Sequence, residues 1–172
     1  GRYTGKMNAI RSLATLAYDC RRSTFFTREL LAALRIIQQG DMTSDQMLGA
    51  WAGEIGQTQF LASNYLKFAV GFVGAGRREL IGSEGYEDLG CDGVGSKRAI
   101  VFADFDGDGR RDLIRSKADA LASTANFLAS FGWMRGKGYQ QGQINYPAIK
   151  EWNSAGVYQK ALAVIARSIA KK

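Results

Sequence analysis

The 172-residue sequence contains no histidine, only two cysteines and a single proline. Without an imidazole the chain cannot form a Ser-His-Asp or Cys-His nucleophile, and it lacks the ligands of nearly every zinc site, which need histidine or four thiolates. Cys20 and Cys91 are either unpaired thiols or one bridge, so a disulfide framework is excluded. No apolar run approaches the roughly 18 residues that a membrane-spanning helix needs.

The composition is that of an ordinary globular protein, with 46% hydrophobic, 11% aromatic and 23% charged residues. The length predicts one domain over residues 1–172, which we expect to be monomeric. A net charge of +7 favours an anionic partner, whether nucleic acid, a membrane surface or a polymer rich in carboxylates. Nucleic acid is the least favoured of these, because the arginines form separated pairs instead of a basic stripe. The pairs are Arg21–Arg22, Arg77–Arg78 and Arg110–Arg111.

Apolar residues at spacings of three and four predict helices in the first third of the chain. The first runs from Met7 to near Tyr18, and the second follows Ser23 and ends at Gly40. Thr43 and Gln46 have the spacing of a capping box, which predicts a short third helix. The predicted inner faces are Ile10, Leu13, Leu16 and Ala17 in the first helix and Phe26, Leu30, Leu31, Leu34 and Ile37 in the second. The short third helix would carry Met47 and Leu48.

The middle of the chain is rich in glycine. Residues 49–60 read as a loop shaped for contact, and residues 71–103, with eight of the 21 glycines, have neither a helical nor a strand period. We therefore expect a loop-rich insert at 71–103.

Helical periodicity returns in the last third of the sequence. Ser116 and Asp119 are predicted to open an amphipathic helix that Gly132 closes, Pro147 suits the first turn of a short helix, and a last helix ends the chain. The predicted buried faces are Ala118, Leu121, Ala122, Ala125 and Leu128 in the first of these helices, and Val157, Ala161, Leu162, Ile165 and Ile169 in the last. The fold class predicted is mainly α.

The segment from Asp104 to Asp112 has the alternating carboxylates of an EF-hand-like calcium loop, with Gly109 at the sixth place for the sharp turn. The twelfth place is Arg115 and not the usual glutamate, and Asp119 would close the coordination sphere instead. A solvated acidic turn neutralised by neighbouring arginines is the alternative. The candidate metal ligands are Asp104, Asp106, Asp108, Arg110 through its carbonyl, Asp112 and Asp119.

A second polar pattern runs from Glu54 to Phe60 and continues into Ser63, Asn64 and Tyr65. Glycine at Gly56 lets a ligand approach the backbone, while glutamine amides and hydroxyls match the donors and acceptors of a sugar. The alternative is a plain turn. Glu54 is a weak candidate for a general acid, because Ile55 and Trp51 flank it and would shield it from water; the alternative is a solvated glutamate.

Four ordered segments resemble the catalytic domain of the lytic murein transglycosylase B family, glycoside hydrolase family 103. They are GRYTGKMNAIRSLATLAYD, WAGEIGQTQFLASNYLKFAV, DFDGDGRRDLIRSKADALASTANFLASFGW and AIKEWNSAGVYQKALAVIA. The resemblance covers nearly the whole chain outside the insert, which the family lacks. It implies a lysozyme-like fold, a bacterial periplasmic or cell-envelope location, and peptidoglycan as the partner.

The same resemblance implies a reaction. Family members cleave the β-1,4 bond between N-acetylmuramic acid and N-acetylglucosamine and form a 1,6-anhydromuramoyl product. One glutamate serves as acid and base, and it stands in a Glu-x-x-x-Gly segment whose glycine matches Gly1. We therefore expect the acid just upstream of Gly1 and no family catalytic residue within the chain. The alternative is a non-catalytic peptidoglycan-binding domain or a degenerate remnant of the enzyme.

The resemblance also implies a set of sugar-contacting positions and a calcium loop. The candidate substrate-binding residues are Gly56, Gln57, Gln59, Phe60, Ser63, Tyr65, Asn153 and Tyr158. The chain departs from the family at four cleft positions: Ala50 replaces a serine, Ala62 a proline, and Phe127 and Trp152 each a tyrosine. Each lost hydroxyl removes a hydrogen bond worth roughly 0.5 to 1.5 kcal/mol. The calcium loop of the family matches Asp104 to Asp112 with Asp119.

Overall fold

The computed structural model describes residues 5–19, 21–70 and 111–170. Within them the fold is mainly helical, as the sequence predicts. The helices are α1 (Ala9–Tyr18), α2 (Ser23–Gln38), α3 (Ala62–Phe68), α4 (Lys117–Ser130), α5 (Tyr146–Trp152) and α6 (Gly156–Ile169), with a 3-10 turn at Ser44–Gln46 and two short strands, β1 (Met7–Asn8) and β2 (Leu48–Gly49). Among the helices described, none combines the length and the apolar character that crossing a bilayer requires.

The two N-terminal helices begin and end close to where the sequence predicts. Asn8 caps α1, because its side-chain oxygen accepts a hydrogen bond from the Arg11 N–H at 3.1 Å. Ser23 begins α2, and its hydroxyl donates to the Ala17 carbonyl at 2.6 Å, which fixes the angle between the two helices. Gly40, with φ +80°, follows the end of α2.

The buried face of α2 differs from the predicted one. Its fully buried residues are Phe26, Glu29, Ala33 and Ile36. Leu31, predicted to be buried, is 62% exposed, and Leu34 is also exposed, so that part of the prediction was wrong. Leucine and isoleucine occur around much of this helix, and the small side chain of Ala33 allows close packing, so apolar spacing alone could not select the inner face.

Residues 43–49 form a turn and a strand where a third helix was predicted. The capping interaction is present, since the Thr43 N–H donates to Gln46 Oε1 at 2.9 Å, but it closes only the 3-10 turn. The chain then extends into β2, which pairs antiparallel with β1 through Met7↔Gly49 and Asn8↔Leu48. Met47 and Leu48, predicted to lie on that helix, are instead the residue after the 3-10 turn and the first residue of β2. Met47 is buried and Leu48 is exposed.

The α4 and α5 helices begin as predicted. The Ser116 hydroxyl accepts from the Asp119 N–H at 3.1 Å at the start of α4, and Pro147 lies in the first turn of α5. The buried residues of α4 are Asp119, Ala120, Ser123 and Phe127. Leu121 is 67% exposed and Ala125 is also exposed, so their prediction as inward residues was wrong. Two polar side chains take inner positions on α4 because each has hydrogen-bond partners there, which apolar spacing cannot foresee.

The α6 helix packs through a face that only partly overlaps the predicted one, since Leu162 alone of the predicted residues is partly buried. Gln159 and Ala163 are buried, while Val157 is 85% exposed and Ile165 and Ile169 are more than half exposed. The inner position of Gln159 is explained by its amide, which donates to the Asn153 carbonyl at 2.9 Å. Branched apolar residues therefore line the outer side of α6.

One hydrophobic core joins the described elements. It includes Leu13 of α1, Ile36 of α2, Tyr65 of α3 and Phe127 of α4, together with Ile55 and Phe60 of the loop before α3. The predicted insert at 71–103 and both cysteines lie outside the described residues. Ile55 and Phe60 anchor the loop of residues 50–60 in this core, so the loop is a structured element.

Candidate functional site

The centre of the candidate site is a tight hairpin turn between Ile55 and Phe60. Ile55 N–H donates to the Phe60 carbonyl at 2.7 Å, and the Phe60 N–H donates back to the Ile55 carbonyl at 2.9 Å. The four residues between them include two with left-handed backbone, Gly56 at φ +75° and Gln59 at φ +60°. A non-glycine residue in this region is strained, and such strain is frequent at functional sites.

Segment 111–114, far away in sequence, fastens this turn. Gln57 donates twice to it, from its N–H to the Leu113 carbonyl at 2.9 Å and from its side-chain Nε2 to the Ile114 carbonyl at 3.0 Å. A Cβ at Gly56 would lie 2.6 Å from the Leu113 oxygen, so glycine is required for this approach. The Gln57 side chain, predicted to contact sugar, is thus engaged within the fold.

Segment 111–114 is itself held by a buried tyrosine and an ion pair. The Tyr65 hydroxyl donates to the Arg111 carbonyl at 2.8 Å, and the Arg111 guanidinium pairs with the Asp41 carboxylate. The guanidinium also lies 5.2 Å from the centre of the Tyr65 ring. Burial in the core, assisted by the negative charge of Asp41, raises the pKa of Tyr65 above its ordinary value. Tyr65 has no exposed surface on which a sugar could rest.

Gln59, Phe60, Leu61, Asn64 and Trp152 line a shallow pocket beside the turn. Its cavity volume is about 40 Å³, enough for about two or three water molecules and too small to enclose a sugar ring. The pocket is therefore a shallow surface depression, and most of a bound sugar would lie outside it. The Gln59 amide donates to the Gly56 carbonyl at 2.9 Å, and the rest of its side chain faces the pocket rim.

Aromatic rings form the wall of this pocket. The Trp152 ring meets Phe60 edge to face at 5.1 Å between centroids and Phe127 at 5.0 Å. Trp152 ends α5 and directly precedes Asn153, so it joins the predicted C-terminal sugar residues to the turn. Asn153 itself accepts a hydrogen bond from the Ala155 N–H at 2.9 Å, and Tyr158 on α6 is 39% exposed.

Ser63 is bound to a residue that the sequence analysis did not select. Glu29 of α2 accepts hydrogen bonds from both the N–H and the hydroxyl of Ser63, at 2.9 and 2.7 Å. In the sequence, a glutamate on a predicted helix is expected to be solvated. Only the structure shows that Glu29 lies on the inner face of α2, where it binds Ser63.

Glu54 directly precedes the turn and is partly buried. Its Oε2 atom and the Thr58 hydroxyl are buried and have no hydrogen-bond partner among the described residues. Trp51, which was expected to shield this glutamate, is 68% exposed, and Glu54 does not line the pocket. Its assignment as a general acid stays a weak prediction.

Two of the six predicted metal ligands lie within the described residues, and they are close together. Asp119 Oδ2 accepts from the Asp112 N–H at 3.0 Å, while Asp112 Oδ1 accepts from the N–H groups of Ile114 and Arg115 at 2.9 and 2.8 Å. The other four, Asp104, Asp106, Asp108 and Arg110, lie outside those residues. Within the part of the chain that can be described, no group of three or more side chains could hold a metal.

A family model described as a transglycosylase SLT domain matches residues 1–88 and 97–144 of the sequence. The chain belongs to this family. The family-level resemblance is thereby confirmed, and the matched residues include the turn, α3 and α4. The fourth motif, with Trp152, lies after the matched residues.

Two relatives resemble this SLT domain over most of its length. The membrane-bound lytic murein transglycosylase B of Escherichia coli is 28% identical over 137 residues, which are 79% of this chain and 28% of that protein. The crystal structure of SltB3 from Pseudomonas aeruginosa in complex with NAG-NAM-pentapeptide is 29% identical with a TM-score of 0.72, and the match covers 100% of this chain and 53% of that one. The chain therefore spans about half of that solved structure.

A more distant structure shares the fold alone. The Escherichia coli lytic transglycosylase Slt35, solved in complex with calcium, is 20% identical with a TM-score of 0.68 over 99% of this chain and 61% of its own. The structural neighbours are lytic transglycosylases, so the predicted fold class is confirmed.

Proposed function

We propose that the chain forms the glycan-binding part of a peptidoglycan lytic transglycosylase, which cleaves the bond between N-acetylmuramic acid and N-acetylglucosamine. The observation that carries the proposal is the pocket of Gln59, Phe60, Asn64 and Trp152 on the strained turn. It combines amide groups with an aromatic wall, as a sugar with polar edges and apolar faces requires. SltB3, which was solved with a NAG-NAM-pentapeptide, supports the substrate class.

In this proposal the chain's own residues bind and orient the glycan. The turn presents the Gln59 amide and α3 the Asn64 amide, Trp152 provides an apolar wall, and Asn153 and Tyr158 extend the surface toward α6. Orientation of this kind raises the rate because the reacting groups need no further ordering. The charge of +7 favours a polymer whose peptide stems carry carboxylates.

The proton donor is proposed to be a glutamate four residues before Gly1. The pairing of β1 with β2 supports this, because Gly49 of β2 also bridges to Ile55 at the base of the turn. At Gly5, with φ +84°, a Cβ would lie 1.9 Å from the Gly49 oxygen, so Gly5 packs closely against β2, next to the turn. That glutamate would protonate the glycosidic oxygen and then, as a base, activate the muramoyl 6-hydroxyl for ring closure.

Calcium is proposed as a structural ion bound by Asp104, Asp106, Asp108, Asp112 and Asp119 with the Arg110 carbonyl. An all-oxygen set suits calcium, and the closeness of Asp112 to Asp119 fits a shared site. When bound, the ion would neutralise clustered carboxylates and hold the loop before segment 111–114. We place the protein in the bacterial cell envelope, where peptidoglycan is found.

Digestion of purified sacculi by the whole protein, including the residues before Gly1, tests the function. We expect anhydromuropeptides in the mass spectrum, and their loss when the upstream glutamate is replaced by glutamine. If Glu54→Gln abolishes release instead, Glu54 is the acid. Binding of sacculi without release of anhydromuropeptides would favour the alternative, a non-catalytic peptidoglycan-binding domain. Failure to bind or cleave would overturn the proposal.

A further inference from the structure

Glu29 is a buried carboxylate in the middle of α2, with only 1% of its surface exposed. The part of the chain that the structure describes contains one ion pair, Arg111 with Asp41, and Glu29 is not in it. Burying a carboxylate without a cation is unfavourable unless hydrogen bonds compensate for the lost water. Here both compensating bonds come from one residue, since Oε2 accepts from the Ser63 N–H and Oε1 from the Ser63 hydroxyl.

Ser63 lies at the point where the pocket lining passes into α3. Leu61 stands two residues before it and Asn64 directly after it, and both line the pocket. The two hydrogen bonds therefore fix the first turn of α3 to the centre of α2. Any rotation of that turn would carry the Asn64 amide and the Leu61 side chain away from the Trp152 wall.

We propose that Glu29 is a positioning residue for the glycan site: by anchoring Ser63 it sets the orientation of Leu61 and Asn64 toward the sugar. The proposal rests on the proposed function of the pocket. It also gives Ser63 an indirect role, because its hydroxyl and N–H are both bound to Glu29.

Two substitutions at Glu29 separate the hydrogen bonds from the charge. In Glu29→Gln the amide oxygen accepts from the Ser63 N–H and the NH₂ group donates to the Ser63 hydroxyl, which can also accept. In Glu29→Met the length of the side chain is kept and both hydrogen bonds are lost. We expect Glu29→Met to weaken binding of NAG-NAM-pentapeptide about tenfold by calorimetry, and Glu29→Gln to remain within about threefold of the parent chain.

Ser63→Ala provides a second test should Glu29→Met fail to fold. It removes the hydroxyl bond and leaves the N–H bond, so we expect binding about threefold weaker. If the two residues act as one unit, combining Ser63→Ala with Glu29→Met should weaken binding no further than Glu29→Met alone.

Ser123→Ala is the matched control for a general loss of stability. Ser123 is also fully buried, and its hydroxyl donates to the Val70 carbonyl at 3.1 Å and accepts from the Val70 N–H at 2.9 Å. These bonds lie beyond the far end of α3, away from the pocket. We expect Ser123→Ala to lower the unfolding midpoint while leaving glycan binding unchanged.

Backbone hydrogen exchange provides a readout that needs no glycan. Glu29→Met should speed the exchange of the Ser63 and Asn64 N–H groups, while Ser123→Ala should speed that of Val70 instead. If the parent chain binds the glycan and Glu29→Met binds it equally well, or if Ser123→Ala weakens binding as much, the positioning role alone is overturned. If the parent chain binds no peptidoglycan fragment, the proposed function fails, and the positioning role fails with it.

Discussion

At the scale of single residues, the turn depends on two unusual backbone conformations. Gly56 and Gln59 both have positive φ, and Gln57 between them binds segment 111–114. Such geometry is tolerated by glycine and strained for glutamine. At Gly56 the packing against Leu113 requires glycine, whereas at Gln59 a side chain is kept although the backbone is strained.

Gly56→Ala should destabilise the chain by about 2 to 4 kcal/mol for two reasons. The positive φ is strained for alanine, and the new Cβ would clash with the Leu113 oxygen. Gly40→Ala is a suitable control, since Gly40 has φ +80° and nothing within 4 Å of an added Cβ. The free energy of unfolding of Gly40→Ala should fall by only about 1 kcal/mol. Urea unfolding measures both variants, and equal losses would show that the contact with Leu113 is unimportant.

Gln59→Gly should raise the free energy of unfolding by up to about 1 kcal/mol, because it relieves the strained φ of 60°. The same change should weaken glycan binding by removing the amide at the pocket rim. Gln59→Ala keeps the strain and removes the amide, so it should weaken binding without the gain in stability. Chemical unfolding and calorimetry measure the two effects. Unchanged glycan affinity in both variants would exclude Gln59 from the site.

Sequence reasoning identified the turn but could not assign its side chains. Glycine and paired glutamines mark the segment, and the structure shows it as an ordered turn, while the sugar contacts of Gly56 and Gln59 stay a prediction. The partners of Gln57, Ser63 and Tyr65 lie 34 to 57 residues away along the chain. No local pattern encodes such pairings, and Glu29 was missed for the same reason.

At the scale of elements, helix ends were predictable and helix faces were not. Ser23, Ser116 and Pro147 act locally, within a few residues of their own positions, so their signals are visible in the sequence. The inner faces of α2, α4 and α6 depend on which neighbour each helix packs against. In α6 the buried side carries Gln159 and Ala163, and larger apolar residues lie outside.

The contact of α3 with segment 111–114 predicts a pH dependence. Burial raises the pKa of Tyr65 in the folded chain above its ordinary value of 10.0, so the neutral form is favoured by folding. This stabilisation is complete below pH 10 and is lost as the pH rises, because only the unfolded chain then releases the proton. The free energy of unfolding should fall by about 1.4 kcal/mol per pH unit above pH 10 from this residue.

Tyr65→Phe tests that dependence. The variant should lose about 1 kcal/mol at pH 7, because the hydrogen bond to the Arg111 carbonyl is absent. Above pH 10 its stability should fall less steeply than that of the parent chain, by up to about 1.4 kcal/mol per pH unit. Urea unfolding between pH 7 and 11 provides the comparison. Parallel curves would show that Tyr65 ionises equally well in both states.

At the scale of the whole molecule, the site joins parts of the chain that are distant in sequence. Segment 111–114 holds the turn, Glu29 holds the start of α3, and Trp152 of α5 closes the pocket. The family resemblance implied that Gln59 and the residues near Asn153 belong to one sugar site, but it did not include Glu29. Composition and periodicity did not group these residues, because long-range packing leaves no period in the sequence.

Calcium binding to the acidic segment before residue 111 can be tested through the thermal stability of the whole chain. Calcium bound there would stabilise the folded chain by RT ln(1 + [L]/Kd), about 2.7 kcal/mol at a hundredfold excess over Kd. For a chain of this size that corresponds to a rise of about 5 to 10 °C in the thermal midpoint. Asp119→Asn should abolish most of the rise, although its amide oxygen can still accept from the Asp112 N–H. Asp45→Asn, an exposed control in the 3-10 turn, should keep it. The first variant removes one carboxylate ligand and keeps the hydrogen bond, so a lost rise would come from the ligand. An unchanged midpoint on adding calcium to the parent chain would exclude the calcium site. An equal rise in all three chains would place the ion elsewhere.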